Sequence, residues 1–326
     1  MRCLITGATG FVGGHLAAAL ARTGHEVAGL TRRLTATAGF PLHVADVTDM
    51  ASVENVLNVV RPDWLFHLAA FASPAQSFVD PAGAWAANLG GAQVLYGAVH
   101  RSGLRPRILH VSSGLVYGDP VGPAAFTEDA PLRPASPYAA SKAAADLLAY
   151  QQTRSPGLDI VRVRPFNQIG PGQSADYAAA NFARQIATVE LGRGTPVVTT
   201  GDLSTQRDLT DVRDMVRAYI RLMEVGTTGE VFNAGSGTTI AVRDLLDRLV
   251  ALARVKVEVV ERTDPRRARD TAISRANTTQ IRAATRWAPE FMLEQTLADV
   301  LDDWRGRVGS CDEINFRPLI GQQGKG

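Results

Sequence analysis

Gly7-Ala8-Thr9-Gly10-Phe11-Val12-Gly13 is the stretch on which the reading of this chain turns. The apolar run Cys3 to Thr6 stops at its first glycine, and helical periodicity runs from Phe11 to Arg22 behind it. A strand therefore ends in a glycine turn and the chain re-enters as a helix. Glycines there let the backbone approach a pyrophosphate, and the helix N-terminus offers N–H donors and the positive end of a dipole. Among 30 glycines such a spacing arises by chance. Its position between the first strand and the first helix makes it a dinucleotide-binding signal.

Outward from the turn, strands and helices alternate. Glu26 to Leu30 reads as a second strand, ending in Thr31-Arg32-Arg33. A carboxylate at that point would bind the ribose diol of NAD, whereas arginine accepts a 2′-phosphate. Arg32 and Arg33 favour NADP(H), the alternative being a solvated basic turn. His43 to Val47 reads as a third strand that delivers Asp46 toward the adenine amino group, and Met50 to Val60 as a helix. Trp64 to Leu68 is a fourth strand, with small residues Ala69 and Ala70 where the backbone must pass a flat cofactor. Gly83 to Gly103 is a helix carrying Asn88, and Arg107 to Val111 a strand running into Ser112-Ser113-Gly-Leu-Val-Tyr117-Gly118. His67 and His110, inside strands, read as satisfied core histidines. The order predicts an α/β fold, a Rossmann-type doubly wound parallel sheet, with ligands beyond the carboxyl ends of its strands.

Ser136-Pro-Tyr138-Ala-Ala-Ser-Lys142-Ala-Ala-Ala-Asp146 then supplies chemistry. Ser136 caps a helix, Pro137 suits its first position, and the alanines propagate it. Tyr138 and Lys142 fall on one face, about 5–6 Å apart at their β-carbons. An ammonium that close favours phenolate and draws the tyrosine toward a pKa useful for proton transfer. A solvated helix face carries the same pair, so it is the company of Ser113 and the glycine turn that points to catalysis. The loop Asp119 to Ser136, rich in proline and acid, reads as a cover for the site.

Beyond the strand Asp159 to Arg164 composition changes. Residues 1–165 read as a dinucleotide-binding domain with return segments near 208–235 and 270–290. Residues 166–308 read mainly as a smaller α/β substrate-binding lobe, and 309–326 as a disordered tail. Helices are predicted over Asn181 to Leu191, up to Glu224, over Ile240 to Ala253 and over Leu293 to Arg305. Short strands are predicted at Thr195 to Thr200, Glu230 to Asn233 and Lys256 to Val260. Arg266, Arg267 and Arg269 form a basic cluster that reads equally as a solvated run or a diphosphate clamp. With 34 basic against 32 acidic residues the chain is near balance, which argues against nucleic acid or an anionic membrane as partner. Cys3 and Cys311 match no metal spacing and read as free thiols of a reducing compartment. With no apolar run long enough for a bilayer and no leader pattern, a cytoplasmic protein is expected.

Together these residues resemble the extended short-chain dehydrogenase/reductase family, in its nucleotide-sugar branch. The glycine turn, Leu68-Ala69-Ala70, Asn88, Ser113, Tyr138 and Lys142 match its pattern, and the resemblance runs from Thr6-Gly7 to Trp304. It implies Ser113, Tyr138 and Lys142 as catalytic residues. It also implies cofactor contacts from Gly7, Thr9, Gly10, Phe11, Val12, Gly13, Arg32, Arg33, Asp46, Val47, Leu68, Ala69, Ala70, Tyr138 and Lys142. Within the branch, Arg164-Pro-Phe-Asn-Gln-Ile-Gly-Pro-Gly-Gln173, Arg207-Asp-Leu-Thr-Asp-Val-Arg-Asp214 and Trp287-Ala-Pro-Glu290 look like the 4-keto reductases of GDP-linked 4-keto-6-deoxy sugars. That implies substrate contacts from Asn88, Ser113, Asn167, Arg184, Arg207 and Arg267, although Ala268 stands where that group continues with proline. NADP(H) is the preferred cofactor, with NAD(H) as the alternative, and a homodimer is expected. Sister 4,6-dehydratases carry a carboxylate two residues before the tyrosine of Val-Tyr-Gly. Here that position is Leu115, beside Gly114, and neither moves a proton. A 4-epimerase with retained NAD uses the same Ser, Tyr and Lys and is the enzyme alternative. A dinucleotide-sensing regulator is the non-enzyme one.

Overall fold

The computed structural model describes residues 1–34, 39–120, 124–262 and 273–315, with side chains as far as Ser310. In chain order its first half runs β1 (Arg2–Thr6), α1 (Phe11–Arg22), β2 (Glu26–Thr31), β3 (Leu42–Val44), α2 (Met50–Val60), β4 (Trp64–His67), α3 (Pro74–Val79) and α4 (Pro81–Trp85). A π-helical turn (Ala86–Gly90) leads into α5 (Gly91–Ser102), β5 (Arg107–Val111), a 3-10 turn (Gly114–Tyr117), α6 (Pro137–Arg154) and β6 (Ile160–Pro165). There follow β7 (Asn167–Ile169), α7 (Ala178–Glu190), β8 (Val197–Thr200), β9 (Gln206–Arg207), β10 (Leu209–Asp211), α8 (Val212–Val225) and β11 (Val231–Ala234). The rest is β12 (Ile240–Ala241), α9 (Val242–Ala251), β13 (Glu258–Glu261), β14 (Ile273–Ser274), α10 (Thr279–Thr285) and α11 (Leu293–Asn315).

Seven strands form one parallel sheet in the order β11-β6-β5-β4-β1-β2-β3. Chain order reverses between β1 and β4, where Thr6 pairs with His67, and that crevice is where such sheets take a ligand. Both faces are covered, as the apolar strands require. Cys3 and Ile5 of β1 join Phe66, Val161 and Val163 on one face, against Leu16 and Leu20 of α1 and Met215, Tyr219 and Leu222 of α8. Leu4, Leu65, Ile108 and Ile160, one residue out of phase, pack on the other face against α2, α5 and α6. Phe66 is fully buried, and truncating such a side chain to alanine costs about 3–5 kcal/mol.

Two compact units emerge: one within Met1–Gln168, Thr205–Ile240 and Arg269–Phe291, the other within Ile169–Ser204, Ala241–Ala268 and Met292–Gly326. The first holds the sheet. In the second, β8 and β13 pair in parallel and α7, α9 and α11 bury Phe182, Ile186, Leu246, Leu249, Leu297 and Leu301. Arg305 there grips Glu190 with both arms of its guanidinium, Nε to Oε2 and Nη2 to Oε1, each at 2.7 Å. That fork holds the Glu190 carboxyl below the usual carboxylate range. No helix among the described residues is long and apolar enough to cross a membrane.

Two expectations change. β3 stops at Val44, because the Thr48 N–H (2.9 Å) and hydroxyl (2.7 Å) both donate to Asp46 Oδ1 and bend the chain into a turn. The last helix continues to Asn315, past the point at which a tail was expected to begin at 309. Its added turns are supported by Arg307 against Asp303 and by Ser310 Oγ donating to the Gly306 carbonyl. Within the described part of the Asp119–Ser136 loop, Phe126 donates to the Arg275 carbonyl, accepts from Asn277, and stacks on Tyr117 at 4.9 Å. Arg266, Arg267, Arg269 and the chain after 315 lie outside the described residues.

Candidate active site

The glycine turn is built by close approach. Gly7 adopts φ +71°, open to glycine at little cost, and a β-carbon there would lie 2.9 Å from the Ala69 nitrogen. A β-carbon on Gly13 would lie 2.3 Å from the Gly7 carbonyl oxygen. That carbonyl accepts from the Gly10 N–H at 3.0 Å, which tightens the turn. α1 begins at Phe11 with Gly10 as its cap and no side chain satisfying its first N–H groups. Uncapped donors at a positive dipole end are an anion site. On the β4 side, Thr6 Oγ1 accepts from Leu68 N (3.2 Å) and Ala69 N (3.0 Å), so its proton goes to His67 Nδ1 at 3.0 Å. His67 is thereby neutral with its hydrogen on Nε2, and burial drives its pKa well down. His110 is held the same way, with Tyr96 OH on Nδ1 at 2.7 Å. Both are core histidines.

At the adenosine end, Thr9 and Thr31 share a hydrogen bond of 3.1 Å that ties the glycine turn to β2. Arg32 and Arg33 follow, exposed, and no acid ends the strand. The Asp46 carboxyl is exposed and held below its ordinary range by its two Thr48 bonds, with a smaller pull from Arg32. Val47 is buried, and Phe11, Val12, Leu68, Ala69 and Ala70 are half-buried around the turn. A glycine cradle that a β-carbon would fill, uncapped helix donors and an arginine pair without a competing carboxylate together fit a nicotinamide dinucleotide carrying a 2′-phosphate.

α6 carries the tyrosine and lysine singled out as candidates. Ser136 Oγ accepts from Ala139 N at 3.1 Å and Pro137 takes the first helical position, as the local sequence dictates. Tyr138 follows, half-buried; its N–H donates to Ser77 Oγ at 3.1 Å, and Ser77 in turn donates to the Pro74 carbonyl at 2.6 Å. Lys142 is buried, and its Nζ donates to the Val111 carbonyl at 2.7 Å, which brings the ammonium to the carboxyl end of β5. Burial lowers its pKa to about 8, against the opposing pull of Asp146. Ser113 leaves the same strand end. Its Oγ accepts from Leu115 N at 3.2 Å, so its own proton remains to donate. Ser112 Oγ instead donates to the Lys142 carbonyl at 3.4 Å and acts as a tie. Leu115 is half-buried and Gly114 packs on the Phe166 ring, so no acid stands at the dehydratase position.

The proposed substrate residues divide. Asn88 turns inward at the π-helical turn: Oδ1 accepts from Phe71 N at 2.8 Å and Nδ2 donates to Ser141 Oγ at 2.9 Å. Ser141 donates to the Tyr138 carbonyl at 2.8 Å, so Asn88 steadies α6 rather than presenting itself to a ligand. Asn167 is half-buried on β7. Arg207 is half-buried on β9, its Nη1 donating to the Gln206 carbonyl at 2.9 Å. Arg184 lies on α7 in the second unit, with Nη2 on Asn181 Oδ1 at 3.0 Å. Arg267 lies outside the described residues. Ser77, Ser141 and Asp146 were not singled out in the sequence, although Asp146 stands one helical turn past Lys142 in the quoted stretch. Among the described residues no cluster of His, Cys, Asp and Glu is arranged to hold a metal.

The chain is similar to known proteins over nearly its whole length. GDP-6-deoxy-D-mannose reductase of Pseudomonas aeruginosa is 36% identical over 312 residues, covering 94% of this chain and 98% of the relative. UDP-glucose 4-epimerase of Mycolicibacterium smegmatis is 33% identical over 319 residues, covering 94% and 99%. Among solved structures, RMD from Pseudomonas aeruginosa complexed with NADPH superposes with a TM-score of 0.85 at 33% identity, over 94% of this chain and all of that one. The family model described as NAD dependent epimerase/dehydratase family matches residues 3–235, which contain the glycine turn, Ser113, Tyr138 and Lys142. On its sheet and this match, the chain belongs to the NAD dependent epimerase/dehydratase family.

Proposed function

We propose that the protein is an NADPH-dependent oxidoreductase that reduces the C4 carbonyl of a GDP-linked 4-keto-6-deoxy-hexose, of the GDP-4-dehydro-6-deoxy-D-mannose to GDP-D-rhamnose type. The observation that carries the reading is a glycine cradle after β1, and a β2 followed by Arg32 and Arg33 rather than an acid, in one chain with Ser113, Tyr138 and Lys142. Relatives name the reaction class: the GDP-6-deoxy-D-mannose reductase matches over nearly its whole length. When bound, NADPH supplies the hydride. Ser113, whose proton is uncommitted, donates to the C4 oxygen and polarises it, a contribution of about 3–4 kcal/mol for such donors. Tyr138 gives its phenolic proton to that oxygen as charge develops there. Lys142 stabilises the phenolate left behind. Leu115 and Gly114 offer no second acid, so water is not eliminated. Asn167, Arg184, Arg207 and Arg267 are assigned to the nucleotide and its diphosphate. Residues 166–308 are accordingly the main substrate-binding part of the chain.

Tyr138→Phe tests the chemistry. Turnover of GDP-4-keto-6-deoxy-mannose, followed at the reduced-nicotinamide band, should fall by about 10²-fold or more while NADPH binding is retained. Near-native turnover would remove Tyr138 from the reaction. The 4-epimerase reading is kept because a UDP-glucose 4-epimerase is also 33% identical. It requires NAD that stays with the purified protein and no net cofactor consumption. The exposed apolar residues Trp85 on α4 and Leu147 and Tyr150 on α6 support a homodimer through these helices. The proposed use of NADPH and a nucleotide sugar supports a cytoplasmic location.

A further inference from the structure

Behind the reactive end of α6 lies a buried charge cluster for which the reaction has no direct use. Asp146 is fully buried, with Oδ1 2.6 Å from Arg162 Nη1 and Oδ2 2.7 Å from Arg164 Nε. Both arginines stand on β6 and are themselves buried. Arg162 also donates to the Gly229 carbonyl at 2.8 Å, and Arg164 to Tyr117 OH at 2.8 Å and the Glu128 carbonyl at 3.0 Å. One helical turn back on the same buried face is Lys142. Other titratable groups around this point include His67 on β4, His110 on β5, Tyr96 on α5 and Tyr117 on the 3-10 turn, Glu128 on the loop before α6, and Tyr150 on α6, whose ring centroid lies 5.0 Å from the Arg162 guanidinium carbon. Burial keeps the two histidines neutral and raises the pKa of the Tyr96 and Tyr117 phenols. The Glu128 carboxylate is committed to the Asn233 N–H at 2.8 Å. Two buried guanidinium groups therefore hold the Asp146 carboxylate, and the buried Lys142 stands one helical turn from it.

We propose that Asp146 is a positioning residue for the reaction: clamped between Arg162 and Arg164, its carboxylate is the counter-charge that keeps buried Lys142 cationic at the end of β5. The proposal rests on the reading of Lys142 as the cation beside the tyrosine. Geometry gives it force. Both Asp146 oxygens are fixed by short bonds to a neighbouring strand, so the charge cannot rotate away when Lys142 moves. In a low-dielectric interior such a fixed charge acts on its neighbour with little screening. Its effect on Lys142 is the one that opposes burial.

The chain has three lysines, Lys142, Lys256 and Lys325, so protein labelled with ¹³C at the lysine ε-carbon gives a resolvable titration for each. In native, substrate-free protein Lys142 should titrate near pH 8. Asp146→Asn keeps the shape and removes the charge. It should bring the Lys142 titration down by about one pH unit or more, a tenfold fall in the ratio of ammonium to amine at the old midpoint, with Lys256 and Lys325 unmoved. The high-pH limb of kcat/KM should follow by the same interval, and Asp146→Glu should restore both. If Asp146→Asn does not fold, Arg162→Gln removes a competing cation and should move the Lys142 titration upward. A Lys142 midpoint unchanged in Asp146→Asn, or lowered in Arg162→Gln, overturns the proposal. A midpoint that moves as expected in a protein with no turnover on any sugar nucleotide upholds the role of Asp146 and sinks the reductase reading instead.

Discussion

Gly13→Ala and Gly14→Ala place the same methyl group at adjacent positions of α1 and should have opposite effects. At Gly13 the new carbon would meet the Gly7 carbonyl oxygen at 2.3 Å, the Ala8 α-carbon at 2.8 Å and the Ala8 carbonyl carbon at 2.9 Å. All three are backbone atoms, and ordinary contact needs about 3.5 Å, so the turn must shift by roughly 1 Å. Overpacking of this kind costs about 1–3 kcal/mol. Displacing the Gly7 carbonyl also endangers its bond from Gly10, about 0.5–1.5 kcal/mol. The helical preference of alanine returns only about 0.5–1 kcal/mol. Gly13→Ala should therefore lose about 1–3 kcal/mol. Gly14 is exposed with nothing within 4 Å of an added β-carbon, so Gly14→Ala should keep the whole propensity gain. Urea denaturation should separate the two variants by roughly 2–4 kcal/mol, with unchanged slopes. NADPH titration should show binding about tenfold weaker or worse for Gly13→Ala, the equivalent of about 1.4 kcal/mol, and native binding for Gly14→Ala. Gly13→Ala that denatures and binds like the native protein would refute the claim that the turn is shaped by this contact. Equal damage from both variants would show instead that the start of α1 is fragile for another reason.

Replacing Arg32 and Arg33 together by alanine should weaken NADPH binding by about tenfold or more, on the scale of a lost charge-assisted hydrogen bond, and leave NADH binding near native; equal losses would refute the 2′-phosphate assignment. Lys142 titrates at about 8 in the folded protein, below an unfolded lysine at about 10.4. Between those values the unfolded chain binds more protons, so the contribution of Lys142 to stability rises with pH across that window. The stability difference between native protein and Lys142→Met should accordingly move in favour of the native protein from pH 8 to 10, while native turnover declines. A difference that stays flat with pH would contradict the depressed lysine. Leu147→Asp with Tyr150→Asp should convert a dimer to monomer by light scattering, and an unchanged mass would place any interface elsewhere.

The parts legible in the sequence are those whose cause is local. α1 begins at Phe11 and ends at Arg22, and α6 begins at Pro137 after a Ser136 cap, because caps, proline and periodicity act within a few residues. The strands of the first half were placed to within about a residue, except β3. There the deciding interaction is an Asp46 side chain folding back on Thr48, which competes with strand pairing. The π-helical turn at Asn88 is not legible in the sequence, for a related reason. Nothing in Ala86-Ala-Asn-Leu-Gly90 demands the extra residue; the bonds to Phe71 and Ser141 accompany it, and those partners are distant in sequence.

Residue types and their spacing determined by themselves that this chain carries a dinucleotide turn, a parallel sheet and a tyrosine–lysine helix, since glycine geometry, strand alternation and helical pitch are properties of short segments. Only the tertiary structure decided what surrounds Lys142. The Val111 carbonyl, Asp146, Arg162 and Arg164 meet there because β5, α6 and β6 pack together. The pKa of a buried group follows from what folding places around it, across distances that no local pattern encodes.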